Sequence, residues 1–249
     1  MYYQALATDY DGTIASHGRV DDHTIDALRR LRDSGRKLIL VTGRQLESLA
    51  DTFEHADLFD RIVAENGGLL YEPATERERM LTEAVPEALV MALRDRHVHP
   101  LSVGRTIVAT VEPHENEALD AIRRLGVGYS VIFNKGAVMM LPSGVNKATG
   151  LRCALEELEI QFDRAVCVGD AENDNVLLQA GGFGAAVANA IPALKEQADY
   201  VSTASHGAGV AELIDHLLTR DLRGMKRHRR GTPIAVRRLG DGGDVVPDA

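Results

Sequence analysis

Disulfides, membrane spans and a basic surface are all missing from the body of this sequence. Two cysteines in 249 residues, Cys153 and Cys167, are too few for a disulfide scaffold. Both lie in apolar patterns, as buried thiols in a reducing cytoplasm do. No apolar run approaches the ~20 residues that cross a bilayer. Met1-Tyr2-Tyr3-Gln4 has no basic stretch ahead of an apolar core, so no secretory leader is expected and a cytoplasmic location is. Residues 1–219 hold 20 Lys/Arg against 33 Asp/Glu, a balance of −13. Such a body is a poor docking surface for nucleic acid, and neither nucleic acid nor membrane is expected as a partner. If it binds phosphate, the positive charge must be local or come from a metal.

What is present is a globular composition, 45% hydrophobic and 26% charged, enough for one large domain or two modest ones. Short apolar runs alternate with helix-period segments. The runs are Ala5–Thr8, Lys37–Val41, Arg61–Ala64, 165–168 and 184–187. The helical patterns fall at 22–32, 45–53, 173–179, 191–197 and 209–218. Strands apolar on both faces, alternating with helices, indicate an α/β fold with a doubly wound parallel sheet.

The middle of the chain reads differently. Helical patterns at 83–96 and 114–125 are each followed by two strand patterns, at 98–103 and 106–111, then at 129–133 and 137–141. Gly126 fits a helix C-cap, and Asn134-Lys135-Gly136 is a hairpin signal. The order αββαββ predicts a small antiparallel sheet with two helices on one face, inserted over 72–143 into a parent domain made of 1–71 and 144–219. From Arg220 the charge sign reverses, with eight Lys/Arg against four Asp/Glu. A basic cluster at 226–230 and a turn-rich stretch at 240–244 between short β-rich pieces mark 220–249 as a flexible tail or the opening of a further domain. Nothing there suggests more than a solvated basic segment.

Four motifs stand at strand ends. Asp9-Tyr10-Asp11-Gly12-Thr13 follows the first strand, where ligands of parallel sheets sit. Two carboxylates so close repel, so a divalent cation is a natural third member, and the pair could divide attack and proton transfer between them. Val41-Thr42-Gly43-Arg44 sets a hydroxyl, a glycine amide and a guanidinium at the next strand end, a set that suits phosphate. Lys147 opens a helix, against the macrodipole, which makes sense if it turns into an anionic site. Val168-Gly169-Asp170-Ala171-Glu172-Asn173-Asp174 follows a further strand. Asp170 is best placed for a metal, Asp174 could be a ligand or hold another group, and Glu172 faces solvent. Each motif alone has a plainer reading: an Asp-Gly turn, a helix cap, a solvated lysine, an acidic helix start. Together they describe a phosphoryl-transfer site with Mg²⁺.

In this set and order the chain resembles the haloacid dehalogenase superfamily of phosphatases, over about residues 3–219. The insertion is similar to the class IIB cap of Cof-type members, and Glu65-Asn66-Gly67 to the segment that precedes that cap. The short cap is similar to those of archaeal-type phosphoglycolate phosphatases and sucrose-phosphate phosphatases. The resemblance implies a Rossmann-like core and hydrolysis of a small phosphomonoester, phosphoglycolate or a sugar phosphate. It implies that Asp9 is the nucleophile, forming an aspartyl-phosphate, and that Asp11 is the general acid and base. It also implies Mg²⁺ held by Asp9, Asp11 and Asp170 with Asp174 close by. The substrate phosphate would fall to Thr42, Gly43, Arg44, Lys147 and Asn173. A phosphomutase would share this chemistry. A receiver domain would share the acidic cluster and lysine without turnover, but it is about half this length and lacks the insertion. His97 and His99 alternate at a strand start and are too few for a zinc site.

Overall fold

A computed structural model describes residues 1–225. The basic cluster and the turn-rich stretch of the C-terminal segment lie outside the described residues.

The parent domain is built on an eight-stranded sheet. Its elements begin with β1 (Ala5–Thr8), α1 (Asp22–Asp33), β2 (Lys37–Val41), α2 (Leu46–Ala50), β3 (Arg61–Ala64), β4 (Leu69–Glu72) and β5 (Arg77–Met80). The inserted unit follows: α3 (Glu87–Asp95), β6 (Ser102–Val103), β7 (Val108–Val111), α4 (Glu115–Leu125), β8 (Tyr129–Asn134) and β9 (Ala137–Pro142). The chain then returns with α5 (Lys147–Glu157), β10 (Ala165–Gly169), α6 (Asn175–Ala180), β11 (Phe183–Ala186), α7 (Pro192–Gln197), β12 (Tyr200–Val201) and α8 (His206–Arg220).

The large sheet runs β12-β11-β10-β1-β2-β3-β4-β5, parallel from β12 to β3 and antiparallel beyond. From β1 the chain winds outward through β2 and β3, then returns to β10 on the other side of β1. The switch point therefore lies between β1 and β10, where open α/β sheets bind ligands. Successive strand residues face opposite ways. Leu6, Leu38, Leu40, Ile62 and Val166 pack under α1 and α8, while Ala5, Ala7, Ile39, Val41 and Cys167 pack under α5. Helices on both faces explain why these strands are apolar throughout.

In the inserted unit the sheet order is β6-β7-β9-β8, all antiparallel. Its helices cover one face through Leu89, Leu93, Ala118, Val138 and Met140. The opposite face carries Ile107, Met139 and Leu141. A sulfur on that face, Met139 Sδ, comes within 3.7 Å of where a Gly43 Cβ would lie, so the face is turned toward the carboxyl edge of the large sheet. The β8–β9 turn is Lys135-Gly136, with φ of +46° and +82°, the left-handed pair of a type I′ hairpin.

Some boundaries differ from the periodicity. Residues 77–80, within the segment read as inserted, pair with β4 and extend the large sheet. All four are exposed and three are charged, which suits an edge strand. The strand read over 98–103 shrinks to Ser102–Val103, because Pro100 brings no N–H to a ladder. His97 and His99 are exposed. At the other end the body continues past 219. Asp221 pairs with Arg36 at 3.0 Å and accepts the Tyr2 amide, and Leu222 is buried in the main core.

Candidate active site

Adjacent strands set the first two carboxylates side by side. Asp9 follows β1, and its amide donates to the Val168 carbonyl at 3.0 Å. Asp170 follows the neighbouring β10. Both are buried, at 5% and 0% exposure. Gly12 has φ +85°, and a Cβ there would meet Asp170 Cγ at 2.9 Å, so the Asp11–Thr13 loop wraps closely over Asp170. Thr13 Oγ1 donates to Asp170 Oδ1 at 3.2 Å.

The chain turns after β10 so that Asp174 folds back beneath its own strand end. Its Oδ2 accepts the amides of Asp170 and Ala171 at 2.9 and 3.0 Å. A Cβ on Gly169 would fall 2.6 Å from that oxygen, so only glycine allows the approach. Lys147 is the first residue of α5, whose Asn146 cap and Thr149 form a reciprocal capping box. Its ammonium is buried and donates to Asp9 Oδ1 and Asp174 Oδ1, each at 2.5 Å.

One ligand oxygen from each of Asp9, Asp170 and Asp174 lies within 4.8 Å of the others. Burial, reinforced by the charges of Asp174 and Asp170, raises the Asp9 carboxyl from 3.8 to about 7, against the pull of Lys147. Burial lowers Lys147, but Asp174 and Asp9 outweigh it and the net direction is upward. Asp170 is raised by burial, with the Lys135 ammonium acting against the shift. When all three carboxylates are ionised, they and the buried Lys147 ammonium sum to −2, the charge that one divalent cation cancels. A donor set made only of carboxylate oxygens suits a hard cation. An ammonium already stands in at this spot, since Lys135 Nζ donates to Asp170 Oδ2.

The remaining residues singled out from sequence take up varied places. Thr42, fully buried, follows β2, and its hydroxyl accepts the Arg44 amide at 3.1 Å. Arg44 turns to Asp11: Nε and Nη2 each donate to one carboxylate oxygen at 2.7 Å, and the guanidinium lies 5.1 Å from the Tyr10 ring centre. Asp11 is half exposed at the rim. Asn173 is buried and donates to Asn66 Oδ1 at 3.0 Å, while Glu172 is exposed.

Sequence reasoning missed four contributors. Lys135 read only as a hairpin turn residue. Glu65, fully buried, accepts from the Arg105 amide at 3.0 Å, the Thr106 amide at 2.6 Å and the Thr106 hydroxyl at 2.7 Å, and so clamps the inserted unit to the parent sheet. Asn189 and His206 both bond the Gly12 carbonyl and hold the Asp11–Thr13 loop from behind. Only the Glu65-Asn66-Gly67 segment carried any signal.

Fold and cluster together define a class: a capped, doubly wound α/β enzyme with buried carboxylates and a lysine at its switch point. The chain belongs to the haloacid dehalogenase-like hydrolase family, whose model matches residues 6–125 and 110–214. Within that family it is a phosphatase. It is 32% identical over 217 residues to the phosphoglycolate phosphatase of Methanothermobacter thermautotrophicus, covering 85% of this chain and 97% of that one. It is 33% identical over 229 residues to the phosphoglycolate phosphatase of Methanopyrus kandleri, covering 86% and 96%. The fold matches Thermoplasma acidophilum 0175 with a TM-score of 0.73 at 17% identity, over 88% of this chain and 99% of that one. It matches the subclass IIB sugar phosphatase BT4131 with a TM-score of 0.70 at 19% identity, over 86% and 98%. No described helix is long and apolar enough to cross a membrane.

Proposed function

We propose that the protein hydrolyses a small phosphomonoester, with phosphoglycolate the foremost candidate, through an aspartyl-phosphate on Asp9. The observation that carries this reading is the buried cluster of Asp9, Asp170, Asp174 and Lys147 at adjacent strand ends. The choice of phosphoglycolate rests on relatives of that activity that align with most of this chain.

In this reading an Asp9 oxygen attacks phosphorus, the bond to the leaving oxygen breaks, and Asp11 supplies that oxygen with a proton. Asp11 then takes a proton from water, whose oxygen attacks the phosphorus and releases phosphate and Asp9. Arg44, with both prongs on Asp11, orients this carboxyl rather than the phosphate. Thr42, the Gly43 amide, Lys147 and Asn173 hold the phosphoryl oxygens. Mg²⁺ would be held by Asp9, Asp170 and the Asp11 carbonyl, and when bound supplies positive charge to the phosphoryl oxygens. Asp174 is a positioning residue, since its oxygens already serve two amides and Lys147. The inserted unit shields the reaction from water.

Phosphate release with Mg²⁺, across phosphoglycolate, sugar phosphates and para-nitrophenyl phosphate, tests this. Phosphoglycolate should show the highest kcat/KM. EDTA should abolish activity, Mg²⁺ should restore it, and Ca²⁺ should do so poorly. Full activity in excess EDTA, or no release from any ester, would overturn the reading.

A further inference from the structure

Among the described hydrogen bonds and ion pairs, the inserted unit meets the acidic cluster through the side chain of Lys135. Lys135 stands at the tip of the β8–β9 hairpin, and its amide also donates to Glu172 Oε2 at 3.3 Å. Its side chain is 45% exposed along its length, yet the ammonium ends on Asp170, which is fully buried. A Cβ on Gly12 would lie 2.9 Å from that ammonium, so Lys135 Nζ sits between the Asp11–Thr13 loop and Asp170.

Three other cations on this side, Arg105, Arg44 and Lys147, are already committed. Arg105 is paired with Glu47 and Glu78, and Arg44 with Asp11. Lys147 is held between two carboxylates that flank it from the parent domain. The partner of Lys135 is the exception, because Asp170 belongs to the set whose −2 charge matches a divalent cation. Once a cation takes Asp170, the Lys135 charge is surplus there. It is then left on a long, half-exposed stem at the mouth of the site, beside an apolar face that includes Ile107 and Met139. A substrate whose leaving group carries its own negative charge supplies the missing partner.

We propose that Lys135 is the residue by which the inserted unit recognises its substrate: it exchanges Asp170 for an anionic group, a carboxylate, on the leaving-group side of a small phosphomonoester. This rests on the phosphatase reading above and adds to it the class of leaving group, a hydroxy acid rather than a neutral alcohol. Lys135 contacts the substrate in this proposal and takes no part in bond making.

The test uses a matched pair, phosphoglycolate and 2-hydroxyethyl phosphate, which differ in the carboxylate. Binding is measured by calorimetry in Mg²⁺ on Asp9→Asn protein, so that no turnover intervenes, with and without Lys135→Gln. The same pair is compared by kcat/KM in Lys135→Gln and Lys135→Arg proteins with Asp9 intact. A lost charge-assisted contact should lower the preference for phosphoglycolate at least tenfold, in Kd ratio and in kcat/KM ratio. Lys135→Arg should recover part of it. Calorimetry without ester should also show Mg²⁺ binding more tightly to Lys135→Gln, because the competing ammonium is gone. Equal losses for both esters would mean that Lys135 reads the phosphoryl group, and an unchanged ratio would mean that it reads neither. Either result overturns the proposal, as does failure of the Asp9→Asn protein to bind phosphoglycolate. Selective binding without wild-type turnover would instead refute hydrolysis and support this inference.

Discussion

Replacing Asp9 with asparagine should make the metal-free protein more stable at neutral pH while removing its turnover. The folded state raises the Asp9 carboxyl from 3.8 to about 7, chiefly through burial. A carboxyl raised in this way holds its proton more tightly folded than unfolded. Its contribution is therefore fully present below about pH 4, is lost as pH rises toward 7, and stays lost above. At 1.36 kcal/mol per pH unit the interval corresponds to at most ~4 kcal/mol. Lys147 adds no slope in this window, since its upward shift keeps it charged throughout. Asparagine fills nearly the same volume and cannot ionise. The two proteins should therefore melt alike near pH 3, where Asp9 is protonated in both the folded and the unfolded chain. They should diverge toward pH 8, with Asp9→Asn the more stable by up to about 8–16 °C for a domain of this size. Thermal melts in EDTA across that range measure it directly. Parallel curves, or a wild type more stable at pH 8, would refute the reasoning by showing that the Lys147 attraction exceeds the cost of burying the carboxylate.

Three other expectations follow from particular contacts. Asp11→Asn should lose much less activity on para-nitrophenyl phosphate than on an alkyl phosphate, because the nitrophenolate hardly needs a proton; equal losses in kcat would count against Asp11 as the acid. Glu65→Ala leaves the Arg105 amide and both Thr106 donors without their acceptor, a cost of about 2–4 kcal/mol. It should lower the melting temperature by several degrees and reduce kcat/KM, and an unchanged melt would show that the clamp is idle. A chain ending at Thr219 loses the Arg36–Asp221 pair and the buried Leu222. It should melt at least ~5 °C below one ending at Met225, and equal melts would place the end of the folding unit at 219.

Local pattern carried much of this fold. Apolar runs between helical periods marked the strands of the doubly wound sheet, because a strand covered on both faces has no polar side to show. The αββαββ order of the inserted unit was legible for a related reason: Gly126 and Lys135-Gly136 sit where left-handed backbone is needed. The motif residues were visible as well, since Asp9, Thr42 and Asp170 each directly follow a strand and Lys147 opens a helix.

Which of these residues touch was not written locally. Asp9 and Asp170 are neighbours because β10 returns beside β1, and strand order across a sheet leaves no mark on the strands themselves. That Arg44, placed after β2, pairs with Asp11 follows from the β1 and β2 loops lying side by side. Lys135 read only as part of a hairpin turn, and Glu65 as part of the segment before the inserted unit. Their roles depend on how the inserted unit docks, which sets Lys135 on Asp170 and the Arg105–Thr106 amides on Glu65. The sequence by itself determined most of the elements, the motif residues at the strand ends and the family. The tertiary structure alone decided the pairings, because each joins residues distant along the chain, through a geometry set by strand order and domain docking.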